Sequence, residues 1–224
     1  MSTYILINLL IVFFPLVLSF LPAIQFYKQW KALSISIILV GAPFIIWDML
    51  FALNGVWAFN PCRVLGFRFF GLPIEEILFF ITVPYSCLFL YHALEGKIIN
   101  KKVFYNHYLY LILAFISLII SVTFFQKEYT YTVFLLLAVL LALASSLFRK
   151  LFGSLIYWIW IIFGMVLFFI FNYFLTALPI VIYSPNSILN IRILTIPFED
   201  FFYNFCMLTL YLAVYLWRQE NQKD

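Results

Sequence analysis

The chain has 224 residues, of which 67% are hydrophobic, 22% aromatic and only 10% charged, against about 25% charged residues in a soluble domain. That composition excludes a soluble globular enzyme and points to a membrane protein. The net charge of +4 sits in basic loops beside apolar runs, so it suggests membrane lipid as a partner and gives no reason to expect nucleic acid.

Seven apolar runs follow in chain order, each close to the roughly 20 residues that cross about 30 Å of hydrocarbon. The first covers 4–26. No cationic segment precedes it and no small-residue cleavage site follows it, so it reads as a retained helix rather than a signal peptide. The second, 33–53, carries Asp48 near its far end. A connection containing Arg63 and Arg68 leads to the third, 74–94, which opens on Pro73-Ile74-Glu75-Glu76. Runs at 104–125 and 130–148 come next, and the sixth, 154–178, holds Asn172. A second connection with Arg192 leads to the seventh, 198–217, which opens on Pro197-Phe198-Glu199-Asp200. Pro15, Pro22 and Pro84 fall inside runs and predict kinks that neighbouring helices must accommodate. The polar tail is Arg218 to Asp224.

Alternate loops divide the cations unevenly. Lys28, Lys31, Lys97, Lys101, Lys102, Arg149, Lys150, Arg218 and Lys223 lie on one side, and Arg63, Arg68, Lys127 and Arg192 on the other. The positive-inside rule then places the N-terminus outside and the C-terminus in the cytoplasm, as in a multi-pass protein of a bacterial inner membrane. Trp30, Tyr105 and Trp217 read as an aromatic belt. His92 and His107 flank the inner loop and read as solvated or interfacial, while Cys62, Cys87 and Cys206 have no metal or redox spacing and read as packing residues.

Sliding the chain against itself by 124 positions, without a gap, lays Asp48 on Asn172, Pro61 on Pro185, Leu65 on Leu189, Arg68 on Arg192, Pro73 on Pro197, Glu75 on Glu199 and Glu76 on Asp200. The shift carries the second run onto the sixth and the third onto the seventh in the same membrane direction. The expected fold is therefore all-α and polytopic, with about seven transmembrane helices in two parallel pseudo-repeats, 1–100 and 101–224, that share a site at their interface. Both carboxylate pairs then open at one membrane face, with Arg63, Arg68 and Arg192 near the buried acids.

A bland account makes the pairs first-turn caps, with each proline at the first helical position and the acids favoured by the helix dipole. Two matched pairs, each with an arginine and a polar partner, favour chemistry instead. Neighbouring helical residues point about 100° apart, so only one acid of each pair can face a cavity, and the sequence leaves open which. Low dielectric and like charge keep a proton on one carboxyl, while arginine and the helix N-terminus favour ionisation of another. One proton donor and one anionic base result. Trp47, Trp57, Phe59, Phe69, Phe70, Phe79 and Phe80, with Phe198, Phe201, Phe202 and Tyr203, bring aromatic faces near the acids. Most of the 29 phenylalanines must simply pack, but three or four rings lining a cavity would each stabilise a cation by about 0.5–2 kcal/mol. Acid, base and aromatics without water suit protonation of an alkene and quenching of a carbocation.

These residues resemble a known family. Trp47-Asp48, then Asn54-Gly55-Val56-Trp57-Ala58-Phe59-Asn60-Pro61, then Leu72-Pro73-Ile74-Glu75-Glu76 with Phe79-Phe80, are similar to one half of the cofactor-independent lycopene cyclases of some bacteria, archaea and fungi. Asn172-Tyr173-Phe174-Leu175-Thr176-Ala177-Leu178-Pro179-Ile180-Val181, then Arg192 and Ile196-Pro197-Phe198-Glu199-Asp200-Phe201, are similar to the other half, here fused into one chain. Asn190 departs from the pattern, standing where a glycine is expected before Ile191-Arg192.

The resemblance implies a carotenoid cyclase, an isomerase of the intramolecular lyase type that closes the linear end of lycopene into a β-ring, towards γ-carotene and β-carotene. Glu75, Glu76, Glu199 and Asp200 would be the catalytic carboxyls, so Glu75→Gln or Glu199→Gln is expected to abolish ring formation. Asp48, Asn172, Arg68 and Arg192 would orient them, with Trp57, Phe79 and Tyr203 against the substrate. No cofactor and no metal are implied, lycopene would come from the lipid phase, and other carotenoid enzymes are candidate partners. None of the seven glycines stands in a G-x-G arrangement, unlike the flavin-dependent cyclases. A retinal protein would need a lysine in 198–217, which has none, and prenyl transfer would want spaced aspartates for magnesium. The alternative kept open is a proton-coupled transporter or carrier of a lipophilic compound.

Overall fold

The computed structural model of the chain describes residues 2–99 and 101–221; Lys223 and Asp224, counted above in the polar tail, lie outside the described residues. The fold is mostly helical. Helix α1 (Thr3–Leu18) starts at Ser2, whose hydroxyl accepts the Ile5 N–H at 3.1 Å. It stops well short of position 26 because Pro22 forces its neighbours out of the helical region.

Helix α2 (Phe26–Leu53) is built in four contiguous pieces: a 3-10 turn Phe26–Gln29, an α stretch Trp30–Ser36, a π turn Ile37–Gly41 and a second α stretch Ala42–Leu53. Helix α3 spans Ile74–Glu95, α4 His107–Thr123, α5 Glu128–Ala144, α6 Leu155–Ala177 and α7 Phe198–Glu220, with a single turn Arg149–Phe152 before α6.

Each of the seven apolar runs thus contains a helix, but among the described residues three helices are long and apolar enough to cross a membrane, Phe26–Leu53, Ile74–Glu95 and Leu155–Ala177. Helices α1, α4 and α5 are apolar but shorter, and α7 opens on two acids. Large apolar side chains face outward on α1, α4 and α6, among them Phe13, Ile112 and Ile162. This surface fits a membrane protein.

The interior prolines are accommodated as a bilayer requires. Pro15 has no N–H for Ile11, and the free Ile11 carbonyl accepts the Ser86 hydroxyl at 2.9 Å. Pro84 likewise frees the Phe80 carbonyl, which accepts the Tyr211 hydroxyl at 3.1 Å. Apolar contact between helices gains little over contact with lipid, so bonds of this kind, with close packing, hold the bundle. Tyr211 is seated by Gly41, where an added Cβ would lie 2.8 Å from its hydroxyl. Gly41→Val is therefore expected to push Tyr211 off the Phe80 carbonyl and cost about 1–3 kcal/mol, read as a lowered midpoint of thermal unfolding in detergent.

An all-α fold was expected, and the two connections depart from it. Strands β1 (Trp57–Phe59) and β4 (Val181–Tyr183) pair antiparallel, Trp57 opposite Tyr183 and Phe59 opposite Val181. Strands β2 (Arg68–Phe69) and β3 (Leu72–Pro73) form one hairpin, and β5 (Arg192–Ile193) and β6 (Ile196–Pro197) form another with the same register. These pieces are too short to show a period-2 pattern against a background of apolar residues. The Tyr4 N–H donates to the Arg63 carbonyl and the Tyr129 N–H to Ser187; the Ile74 N–H donates to Phe67 and the Phe198 N–H to Ile191. The β1–β4 ribbon joins the two connections, so both lie at one end of the bundle. Beneath it a core of Tyr4, Trp57, Tyr129, Leu175 and Ile180 is drawn from both halves of the chain.

Candidate functional site

The connections aim the acids. In the first hairpin the turn residues Phe70 and Gly71 have φ of 46° and 82°, and Arg68 donates to the Gly71 carbonyl at 3.2 Å and to the Phe59 carbonyl at 3.0 Å. In the second, Leu194 has φ of 57° and Arg192 donates to the Thr195 carbonyl at 2.6 Å. Gly66 and Asn190, 124 positions apart, both adopt positive φ, 91° and 63°. Asparagine is the side chain that best tolerates this region, so its substitution for the expected glycine preserves the bend. Pro73 and Pro197 occupy the N-cap, one position before the first helical residue, and pair with Arg68 and Arg192 across the hairpins. This corrects the first-turn placement expected from sequence: the prolines close the hairpins and set where α3 and α7 begin.

Each carboxylate pair diverges. Glu75 turns towards its connection, where one oxygen accepts the Leu65 N–H at 2.6 Å and the Ser2 hydroxyl at 2.7 Å. Glu199 does the same with the Leu189 N–H and the Thr130 hydroxyl, both at 2.6 Å. Both residues are fully buried, and the second oxygen of each has no hydrogen-bond partner among the described residues. Glu76 and Asp200 point the other way, into a cavity of about 70 Å³ that Asp48 and Asn172 also line.

In that cavity Glu76 accepts the Tyr4 hydroxyl at 2.5 Å and shares the lining with the Asp48 carboxyl. Two carboxyls in one small, low-dielectric space are favoured with a proton between them over two charges. Asp48 also accepts the Tyr203 hydroxyl at 3.3 Å. Across the cavity Asp200 accepts three bonds, from the Tyr129 hydroxyl at 2.7 Å, the Tyr183 hydroxyl at 2.8 Å and the Asn172 amide at 2.9 Å. Its surroundings offer donors, as suits an anion. Trp57, Phe59, Phe79, Phe80 and Phe168 complete the wall.

Of the residues singled out from sequence, Asp48, Glu76, Asn172, Asp200, Trp57, Phe79 and Tyr203 meet in this cavity. Glu75 and Glu199 lie behind it. Arg68 and Arg192 are exposed, and their hydrogen bonds go to backbone carbonyls rather than to a carboxylate. Arg192 reaches the site at one remove, 5.9 Å from the ring of Tyr183. Among the other aromatics, Trp47 backs Tyr203 at 5.2 Å, Phe201 packs on Phe168 and Phe202 on Phe134, while Phe69 and Phe70 are exposed on a hairpin. Cys87 and Cys206 are buried, and Cys62 is exposed.

Sequence reasoning missed Tyr4, Tyr129 and Tyr183. A signal existed: Ser2 and Tyr4 open α1, and Tyr129 and Thr130 open α5, so a hydroxyl and a phenol stand at the head of the helix that faces each acid pair. The gapless shift lays Tyr4 on Glu128, one residue from Tyr129, and so hid the correspondence.

By class this is a helical protein whose apolar outward faces fit a membrane and whose buried acids line an aromatic-walled cavity. The comparisons with known proteins identify the group. The family model described as lycopene cyclase matches residues 1–94 and 126–218, and the chain belongs to that family. Over 63 residues, 28% of the chain, it is 29% identical to a bifunctional lycopene cyclase/phytoene synthase of Aspergillus oryzae. It is 32% identical over 63 residues to a protein of the same name from Podospora anserina. The aligned stretch covers 11% and 10% of those two proteins. No solved structure matches the chain.

Proposed function

We propose that the chain is a lycopene β-cyclase, a redox-neutral isomerase of the intramolecular lyase type. The observation that carries the reading is the meeting of Asp48, Glu76 and Asp200 in one aromatic-walled cavity of a chain in this family. The proton held between Asp48 and Glu76 goes to C2 of the terminal C1=C2 double bond of lycopene, leaving a tertiary cation at C1. The C5=C6 π electrons attack C1, which forms the C1–C6 bond and moves the cation to C5. Asp200 removes the proton from C6, and the new C5=C6 double bond completes the β-ring. One proton enters and one leaves, so substrate and product are isomers. Once the product has left, Asp200 gives its proton up to solvent and the Asp48–Glu76 pair takes up another, so each turnover starts with an exchangeable proton.

Aromatic walls favour the cationic stages over water, which would otherwise trap them as alcohols. Tyr129, Tyr183 and Asn172 hold Asp200 in place to act as the base. Tyr129→Phe removes one of its three donors and is expected to slow ring formation by roughly ten-fold, the equivalent of about 1.4 kcal/mol, measured as initial rate at equal protein level.

The wider architecture belongs to the same proposal: two parallel halves, 1–100 and 101–224, with about seven spans, an outside N-terminus and a bacterial inner membrane as the setting. The matched hairpin registers and the paired Leu65–Glu75 and Leu189–Glu199 bonds support the two halves. Lycopene would enter from the lipid, with no cofactor required. Expression in a lycopene-accumulating bacterium, with chromatography of the pigments, tests the reading: cyclic carotenoids are expected. Unchanged lycopene beside well-folded protein would sink it, and movement of the pigment without isomerisation would favour the transporter.

A further inference from the structure

A second, larger cavity of about 320 Å³ lies between α1, α3, α6 and α7. Its lining is almost wholly apolar, and it shares Phe79, Phe168, Asn172 and Asn204 with the acid cavity. The two spaces are therefore neighbours across these four side chains, whose rotation would open a neck between them. On the outward side of the larger space stand Leu10, Phe14 and Leu167, which are 56%, 65% and 38% exposed on α1 and α6. Gly164 keeps the wall between α6 and α7 thin, since a Cβ there would lie 3.1 Å from Leu208 Cδ1.

Size decides what each space can take. Drug-sized ligands fill about 300–1,000 Å³, so the acid cavity admits only the tip of a long molecule, and the groove has room for an extended apolar segment. Resting on the cyclase reading, we infer that this groove is the binding site for the linear polyene chain, entered sideways from the lipid, with one end group pushed through the neck to the acids. Both halves of the chain supply residues to one acid cavity, so each encounter closes one ring. The half-cyclised carotenoid leaves through the same mouth and returns in the reverse orientation for its second ring.

The test uses the full chain in detergent with Glu76→Gln, which cannot turn over, and lycopene as the probe. Lycopene is achiral, so circular dichroism in its visible bands reports only molecules seated in the protein. Binding is expected to saturate. Leu167→Trp at the mouth and Gly164→Leu in the wall are each expected to weaken it by about ten-fold, while Phe163→Trp, on the same helix but outside the groove, leaves it unchanged. Equal affinity for Leu167→Trp and the parent would overturn the site, whatever the fate of Gly164→Leu. A parent that binds lycopene with these dependences, but forms no ring when Glu76 is restored, would defeat the cyclase reading and leave the groove standing. Active protein given labelled lycopene and excess unlabelled monocyclic carotenoid in vesicles is expected to yield bicyclic product with diluted label. Undiluted label would overturn the release between rings.

Discussion

Lycopene-accumulating cells that express Glu76→Gln are expected to stay red, with ring formation down by about 10²–10⁴-fold, the usual contribution of a positioned acid. The amide keeps the shape of the side chain and can still accept the Tyr4 hydroxyl, so the protein should reach the membrane in normal amount. What it loses is the proton: an amide N–H is no acid towards an alkene, and Asp48 is left facing a group with which no carboxyl–carboxyl proton can be shared. Asp200→Asn is expected to be comparably inactive for the opposite reason. Three donors converge on Asp200, and an asparagine NH₂ would meet one of them donor to donor while offering no base for the C6 proton. Pigment chromatography normalised to protein level checks both, and wild-type turnover in either would remove that residue from the mechanism.

The other large effect is on stability. Glu75 and Glu199 each clasp a backbone N–H ten residues earlier and a hydroxyl on a neighbouring helix, and so tie the connection, α1 or α5, and the acid helix together. Glu75→Ala or Glu199→Ala leaves a partly buried backbone N–H and a hydroxyl without the fully buried carboxylate they donate to, so a loss of roughly 1–4 kcal/mol and poor accumulation in the membrane are expected. Glutamine retains one oxygen for both donors and replaces the unpartnered one. Glu75→Gln and Glu199→Gln should therefore remain within about 1 kcal/mol of wild type and still form rings. Thermal unfolding in detergent separates alanine from glutamine; ring formation abolished by Glu75→Gln in a stable protein would return that residue to the chemistry. The expectation from sequence alone was abolition, because nothing in the pair Glu75-Glu76 told which way each acid points.

That division was hidden for a physical reason. A helix turns neighbouring side chains about 100° apart, but the absolute direction depends on what packs against it. The packing partners are Ser2, Leu65 and Tyr4 for the first pair and Thr130, Leu189 and Tyr129 for the second. Leu65 and Leu189 were visible in the shift by 124, yet only as apolar identities; their role is carried by backbone N–H groups that any residue would supply. The helices, the interior prolines and the convergence of Asp48 and Asn172 with one acid of each pair were legible because polar residues are rare in this chain and each must be accounted for. Arg68 and Arg192 were legible as matched positions but not as hairpin braces, since charge alone suggested the acids as their targets. The strands escaped notice because segments of two or three residues carry no periodicity.

The most direct test of the account is cyclisation of lycopene by the purified chain in deuterium oxide, with mass spectrometry of the product. Proton transfer from exchangeable carboxyls predicts one deuterium per ring, at the carbon that receives the proton, with no added reductant or oxidant. Rings formed without deuterium, or lycopene left unchanged by folded protein, would contradict it.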